Sequence, residues 1–148
     1  GGWALRSGGR PLSIGRPLLI SSLGKGHTSL PDSLGAFRDE VIAGGSGTVG
    51  KTTELYVLMD GDTPAGLCGV IWHSKTCKFK NAYVSAAYRG CGYYKDMVEF
   101  RLDLAKKRGM KQVDAICTYM SIKEFQKRGA YLVRYHKGWN LTHVRILL

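Results

Sequence analysis

The sequence predicts one α/β (α+β) domain, a mixed and mostly antiparallel central sheet flanked by helices. Three observations carry this reading. A chain of 148 residues is the usual size of one domain and buries a core without needing a disulfide or metal staple. Three β-rich runs, TELYVLMD, LCGVIWHS and KFKNAYVSA, follow one another, the first two joined by a turn-forming cluster. The third leads into an apolar helical stripe of Tyr94, Met97, Val98, Leu102 and Ala105. Apolar residues at 44% and charged residues at 22% exclude a disordered or fibrous chain.

Residues 1 to 10, GGWALRSGGR, are rich in Gly and Arg and aperiodic, and are expected to form a flexible arm before a single domain over 11–148. PLSIGRPLLI offers a short β-like piece interrupted at Pro17, followed by a loop to Ser29. Asp32 or Ser33 can cap a helix whose Leu34, Phe37 and Val41 recur at helical spacing, with Gly44 and Gly45 ending it. TELYVLMD and LCGVIWHS then read as an antiparallel hairpin about the cluster Gly61 to Gly66. The long helix carries Asp96 and Glu99 early and Lys106, Lys107 and Arg108 late, agreeing with the helix dipole, and Gly109 stops it. A strand over Lys111 to Tyr119, a short helix over Ser121 to Arg128 ended by Gly129, and two strands about Lys137 to Asn140 complete the chain.

The apolar runs are too short to cross a bilayer, and Pro17 to Leu23 lacks the cleavage site of a signal segment, so no membrane partner is expected. Cys68, Cys77, Cys91 and Cys117 show no paired spacing, which fits reduced thiols and a cytoplasmic location. A formal charge of +11 attracts polyanions, among them nucleic acids, anionic surfaces and the phosphates of a nucleotide cofactor.

Gly45 to Thr52, GSGTVGKT, matches the phosphate-binding pattern G-x-x-x-x-G-K-[ST] at every required position. That motif works between a strand and a helix, where loop amides and the helix N-terminus together hold phosphate. Here a helix precedes and a strand follows, so a Gly-rich connector is the better reading than a nucleotide site. Arg89-Gly90-Cys91-Gly92 has the opposite context. It lies where a strand turns into a helix, and open backbone N–H groups at such a junction bind anions.

These residues resemble the GNAT-superfamily N-acetyltransferases, whose pyrophosphate loop reads [Q/R]-x-x-G-x-[G/A] between the central strand and the long helix. Arg89-Gly90-Cys91-Gly92-Tyr93-Tyr94 stands in that place. AYVSAAYRGCGYYKDMVEF resembles the family's strand-loop-helix core and FQKRGAYLV its C-terminal Y-x-x-x-G-F segment, so the resemblance runs from about Glu54 to Leu148. It implies acetyl-CoA as co-substrate, held by the backbone near Tyr83, Val84 and Ser85 and by Arg89, Gly90, Cys91, Gly92, Tyr93 and Tyr94. It further implies transfer of an acetyl group to an amine of a small molecule or protein.

Two positions depart from the family pattern. Tyr94 stands where Gly or Ala is usual, and its ring would crowd a pyrophosphate. Phe125 stands where many members have the Tyr that protonates the departing thiolate, and Phe has no donor. Tyr119 or Tyr131 could substitute. A base for the amine is sought in His73, Glu54 or Asp60, His73 first because it follows Trp72 in a strand-like run. The histidines offer no metal-ligand spacing. The basic tail, with Lys127, Arg128, Arg134, His136, Lys137 and Arg145 among Tyr131, Tyr135 and Trp139, leaves a second class open: an impaired GNAT-like module that binds a nucleic acid or an acidic protein.

Overall fold

The computed structural model describes residues 18–24 and 30–148. Seven strands form one sheet in the order β1-β2-β3-β4-β5-β7-β6. They are β1 (Leu18–Gly24), β2 (Thr53–Asp60), β3 (Thr63–Trp72), β4 (Thr76–Val84), β5 (Gln112–Cys117), β6 (Tyr131–His136) and β7 (Leu141–Leu147). Among the described residues three α-helices accompany them: α1 (Ala36–Ala43), α2 (Tyr93–Lys107) and α3 (Ile122–Gln126). Every neighbouring pair is antiparallel except β4 and β5. That one parallel pair needs a crossover, and α2 supplies it.

Strict alternation along β2 explains the two layers. Tyr56 and Leu58 join the core beneath α2 and α3, with Val70, Phe79, Met97, Val98, Val113, Phe125 and Val144. Leu55 and Val57 point the other way and pack with Phe37 and Val41 of α1. Leu55, Leu58, Val41, Val70, Met97 and Val98 have no exposed surface, and burial of one such side chain is worth about 1.5–3 kcal/mol. β2 and β3 are therefore covered on both faces.

Several boundaries differ from the sequence expectations. The β2–β3 turn is only Gly61 and Asp62, because Thr63, Pro64 and Gly66 already pair with β2 or β4. Leu58 pairs with Gly66 and Met59 with Pro64, so Ala65 is the extra residue of a bulge beside Pro64. A bulge tolerates a residue without an N–H, which is how proline enters a central strand. Neither Asp32 nor Ser33 caps α1. Asp32–Leu34 is a separate 3₁₀ turn, and α1 begins after Gly35 without a side-chain cap. Of the β-like piece expected over PLSIGRPLLI, Leu18 to Ile20 form the start of β1, which runs on to Gly24 into the segment read as loop, and residues 11–17 lie outside the described residues. β5 ends at Cys117, two residues before the predicted end at Tyr119, and α3 is a shorter helix than predicted. The arm over residues 1–10 lies outside the described residues.

Candidate active site

β4 and β5 pair only from Thr76 with Gln112 to Phe79 with Ala115, and no ladder joins them beyond. The departure begins at a bulge in β4. Leu67 pairs with Tyr83 and Gly69 with Lys80, which leaves Asn81 and Ala82 opposite Cys68 alone. Asn81 absorbs the bend in the left-handed region at φ 54°, a conformation that asparagine tolerates better than most residues. Its side-chain amide donates to the Thr48 carbonyl at 2.8 Å. The Gly-rich connector therefore braces the bulge. It enters β2 through a turn, with no helix after Lys51 and Thr52, and so lacks the context of a phosphate loop.

At the open end of this splay the chain passes from β4 through a 3₁₀ turn at Ala86–Tyr88 to the N-terminus of α2. Gly90 at φ 77° and Gly92 at φ 85° adopt the left-handed conformation that glycine takes without penalty. No side chain caps α2, so the first-turn amides face outward with the positive end of the dipole. A cleft of about 420 Å³ opens there, lined by Val84, Arg89, Gly90, Gly92 and Tyr94 on one side and by Thr118, Met120, Ser121 and Glu124 on the other. An anion fits this geometry.

A smaller chamber of about 130 Å³ lies deeper, where the strands part, lined by Phe79, Lys80, Asn81, Ala82, Tyr94, Arg101, Ala115, Ile116 and Phe125. Phe79 and Ala115 belong to the helix-covered face, whereas Lys80 and Ile116 alternate to the opposite, open face. Residues of both alternations thus line the chamber. Tyr94 lines both spaces and is their common wall. Burial raises its phenol pKa despite the nearby Arg101 charge and a hydrogen bond with Ser121. A larger hollow of about 600 Å³ lies between α2 and the C-terminal residues, away from the splay, and its Arg128 is paired with Glu99 at 2.9 Å.

The structure brings Tyr83, Val84, Ser85, Arg89, Gly90, Cys91, Gly92, Tyr93 and Tyr94 to this one end of the sheet. Their roles divide. Arg89 turns inward, donating Nε–H to the Val84 carbonyl at 3.1 Å and Nη2–H to the Tyr83 hydroxyl at 3.1 Å. Tyr93 is 1% exposed and packs edge-on against Tyr88, so only its backbone can meet a ligand. Cys91 is half-buried, its thiol 3.5 Å from the Arg89 carbonyl.

Glu40 on α1 was not legible as a member of this cluster. Its carboxylate accepts from the Ala86 backbone at 2.8 Å and from the Tyr83 and Ser85 hydroxyls at 2.9 Å each. The Ala86 N–H is the main cause holding Glu40 below the usual carboxylate range. Burial and the Glu40 carboxylate raise Tyr83 in turn.

The expected bases lie elsewhere. His73 is exposed in the β3–β4 turn, its N–H bonded to the Thr76 carbonyl, rather than on a central strand. Trp72 pairs with Cys77 and Gly66 with Val84, so that turn is about 20 Å along the sheet from the cleft. Glu54 belongs to the same distant end, where it accepts from Trp72 Nε1 at 3.2 Å and Arg108 at 3.1 Å. Asp60 accepts from the Tyr88 hydroxyl at 3.0 Å. Tyr119 follows cleft-lining Thr118 but is 73% exposed, Tyr131 lies on edge strand β6, and Phe125 is buried against Phe79.

In the basic tail, Lys127 and Arg128 pair with Glu124, and Arg145 and His143 with Asp114. Arg134, Lys137 and Trp139 remain exposed. All four cysteines are unpaired. Among the described residues, no group of three or more His, Cys, Asp or Glu gathers as for a metal, and no helix is long and apolar enough to cross a membrane.

No protein-family model matches the sequence, and no curated protein matches it. Solved structures do. A GNAT family acetyltransferase from Elizabethkingia anophelis with acetyl-CoA bound shares 14% identity over 88% of this chain and 98% of its own, with a TM-score of 0.64. An acetyltransferase from Bacillus subtilis in complex with CoA shares 17% over 88% and 99%, with a TM-score of 0.65. The ribosomal-protein-S18-alanine N-acetyltransferase of Escherichia coli shares 14% over 88% and 93%, also with a TM-score of 0.65. The fold of this chain is the GNAT fold.

Proposed function

We propose that the chain transfers an acetyl group from acetyl-CoA to an amine. The observation that carries this reading is the parting of β4 and β5 directly beside an uncapped helix N-terminus. The outer cleft suits a pyrophosphate, since outward amides and the helix dipole favour negative charge there. From that anchor the pantetheine arm runs along β4, whose Lys80 to Val84 edge is not paired to β5. Its thioester then enters the inner chamber. Two of the structures sharing the fold hold acetyl-CoA or CoA, which supports the choice of donor.

The amine approaches from the open face of the sheet. Its nitrogen attacks the thioester carbonyl carbon, the C–N bond forms, and the C–S bond breaks with the electron pair leaving on sulfur. The attacking amine gives up a proton to water in the open cleft. The thiolate needs a proton, and Phe125 has none to give. Tyr94 takes that role, because its phenol lines both the outer cleft and the chamber. The resemblance placed Tyr94 against the cofactor as an obstruction. Here it replaces a donor missing from α3, and the ring must turn aside as the arm enters.

Acetyl-CoA turnover in the presence of a panel of amines, followed by release of free thiol, tests the reading. Thiol release that depends on an amine supports it; thiol release at the uncatalysed rate with every amine, by folded protein that binds no CoA, removes it.

A further inference from the structure

Strand register gathers the unpaired cations of the C-terminal half on one face of the sheet. Lys78 pairs with Asp114, Asp114 with Arg145 and Arg145 with Tyr131, and residues paired across strands share a face. Ile116, His143 and Arg134 form the next row, and Lys80 follows Lys78 on the same side of β4. The opposite face, with Phe79, Ala115 and Val144, belongs to the core beneath α2 and α3. α1 packs on the Lys78 side only over β2 and β3, against Leu55, Val57 and Leu67, and Lys80, Ile116, Tyr131 and Arg134 stand exposed beyond it.

Asp114 is the one acidic residue of β4, β5, β6 and β7, and it is already taken by Arg145 at 3.0 Å and His143 at 2.8 Å. Lys78, Lys80, Arg134 and Lys137 have no ion pair among the described residues. Cations clustered on one face without counter-charge mark a surface for a polyanion. The β6–β7 turn adds rings. Trp139 is 77% exposed, and the His136 ring stacks on it with centroids 6.1 Å apart at 21°. Arg134, Tyr135, His136, Lys137, Gly138 and Trp139 line a hollow of about 240 Å³. An indole left in water beside cations is apolar surface that a stacked base would cover.

We propose that this face, from Lys78 and Lys80 across to the β6–β7 turn, binds a single-stranded nucleic acid. The cations meet backbone phosphates and the indole stacks a base. From β4 to β6 the face spans three strand spacings, roughly 14 Å, so a strand crossing it meets cations along its path. An acidic peptide would satisfy the charges and leave the rings without a role, whereas a duplex keeps its bases stacked on one another. None of the four unpaired cations lines the outer cleft, so this surface does not rest on the acetyl-transfer reading.

Fluorescence anisotropy of a labelled oligouridylate tests it. Binding is expected at low salt, and four phosphate contacts on a single strand should raise Kd about 50-fold between about 50 and 200 mM salt. Lys80→Gln, Arg134→Gln and Lys137→Gln combined should weaken binding about tenfold or more and reduce the slope of log K against log salt by about 2. Trp139→Leu should weaken oligouridylate by about fivefold or more and leave the affinity for inorganic polyphosphate unchanged. All four positions are exposed, so these variants keep the core. Lys106→Gln with Lys107→Gln, exposed in the last turn of α2, should bind as the wild type does. Absent binding by folded protein, polyglutamate or a duplex binding as tightly as oligouridylate, unchanged affinity in the triple variant or in Trp139→Leu, or an equal loss in the α2 variant would overturn the proposal.

Discussion

The Glu40 carboxylate accepts the Ala86 backbone N–H at 2.8 Å, tying α1 to the loop after β4 across 46 residues of sequence. Because the Tyr83 and Ser85 hydroxyls share the same acceptor, one side chain fixes the course of the chain as it leaves the sheet. Loops that carry binding groups gain precision from such supports.

This contact predicts a pH signature. Glu40 titrates below its ordinary value of 4.5 in the folded state, chiefly through the Ala86 N–H, so its contribution to stability is complete above the unfolded value and is lost as pH falls through the folded one. Glu40→Gln should therefore melt below the wild type by a constant margin above roughly pH 5, and the margin should shrink as the pH falls below that. Thermal melts of both proteins across that range check it.

Tyr94→Phe removes the proposed proton donor without changing the wall between the two spaces. Acetyl transfer should slow by about 100-fold in kcat with little change in KM for acetyl-CoA. Adding Phe125→Tyr to that variant should restore at least part of the loss, since residue 125 also lines the chamber. Steady-state kinetics on the wild type, Tyr94→Phe, Phe125→Tyr and the double variant measure the coupling.

Asn81→Ala places a residue less suited to positive φ at the bulge and deletes the bond to Thr48. A loss of about 1–2 kcal/mol is expected in denaturant unfolding. Asn81→Gly should lose less, because glycine accepts the backbone conformation while still lacking the tie.

Much of this architecture is written locally. The β-rich composition of TELYVLMD, the apolar stripe of α2 and the glycines before that helix each signal their own element, and all three fall where expected. The candidate cleft was legible for the same reason, since strand, loop and helix N-terminus are contiguous in sequence. What the sequence hid is non-local. Glu40 carries no motif, and only the packing of α1 against β4 brings it beneath the loop. Arg101 is a charged residue among the buried positions of α2, so its burial depends on the sheet beneath the helix. His73 misled because LCGVIWHS extends its strand-like composition past the last paired residue, Trp72, into the turn. The Gly45 to Thr52 motif shows the converse: a complete pattern whose flanking elements are in the wrong order braces a bulge instead of a phosphate.

The central claim is that the parted strands and the open end of α2 receive acetyl-CoA. Calorimetric titration of the wild type and of Gly92→Glu, with folding of each verified by circular dichroism, tests it most directly. The account predicts micromolar binding by the wild type and at least a tenfold loss in the variant, whose new carboxylate occupies the anion position and whose backbone must hold φ 85°. Folded wild-type protein that takes up no acetyl-CoA at millimolar concentration, or Gly92→Glu binding as tightly as the wild type, would contradict it.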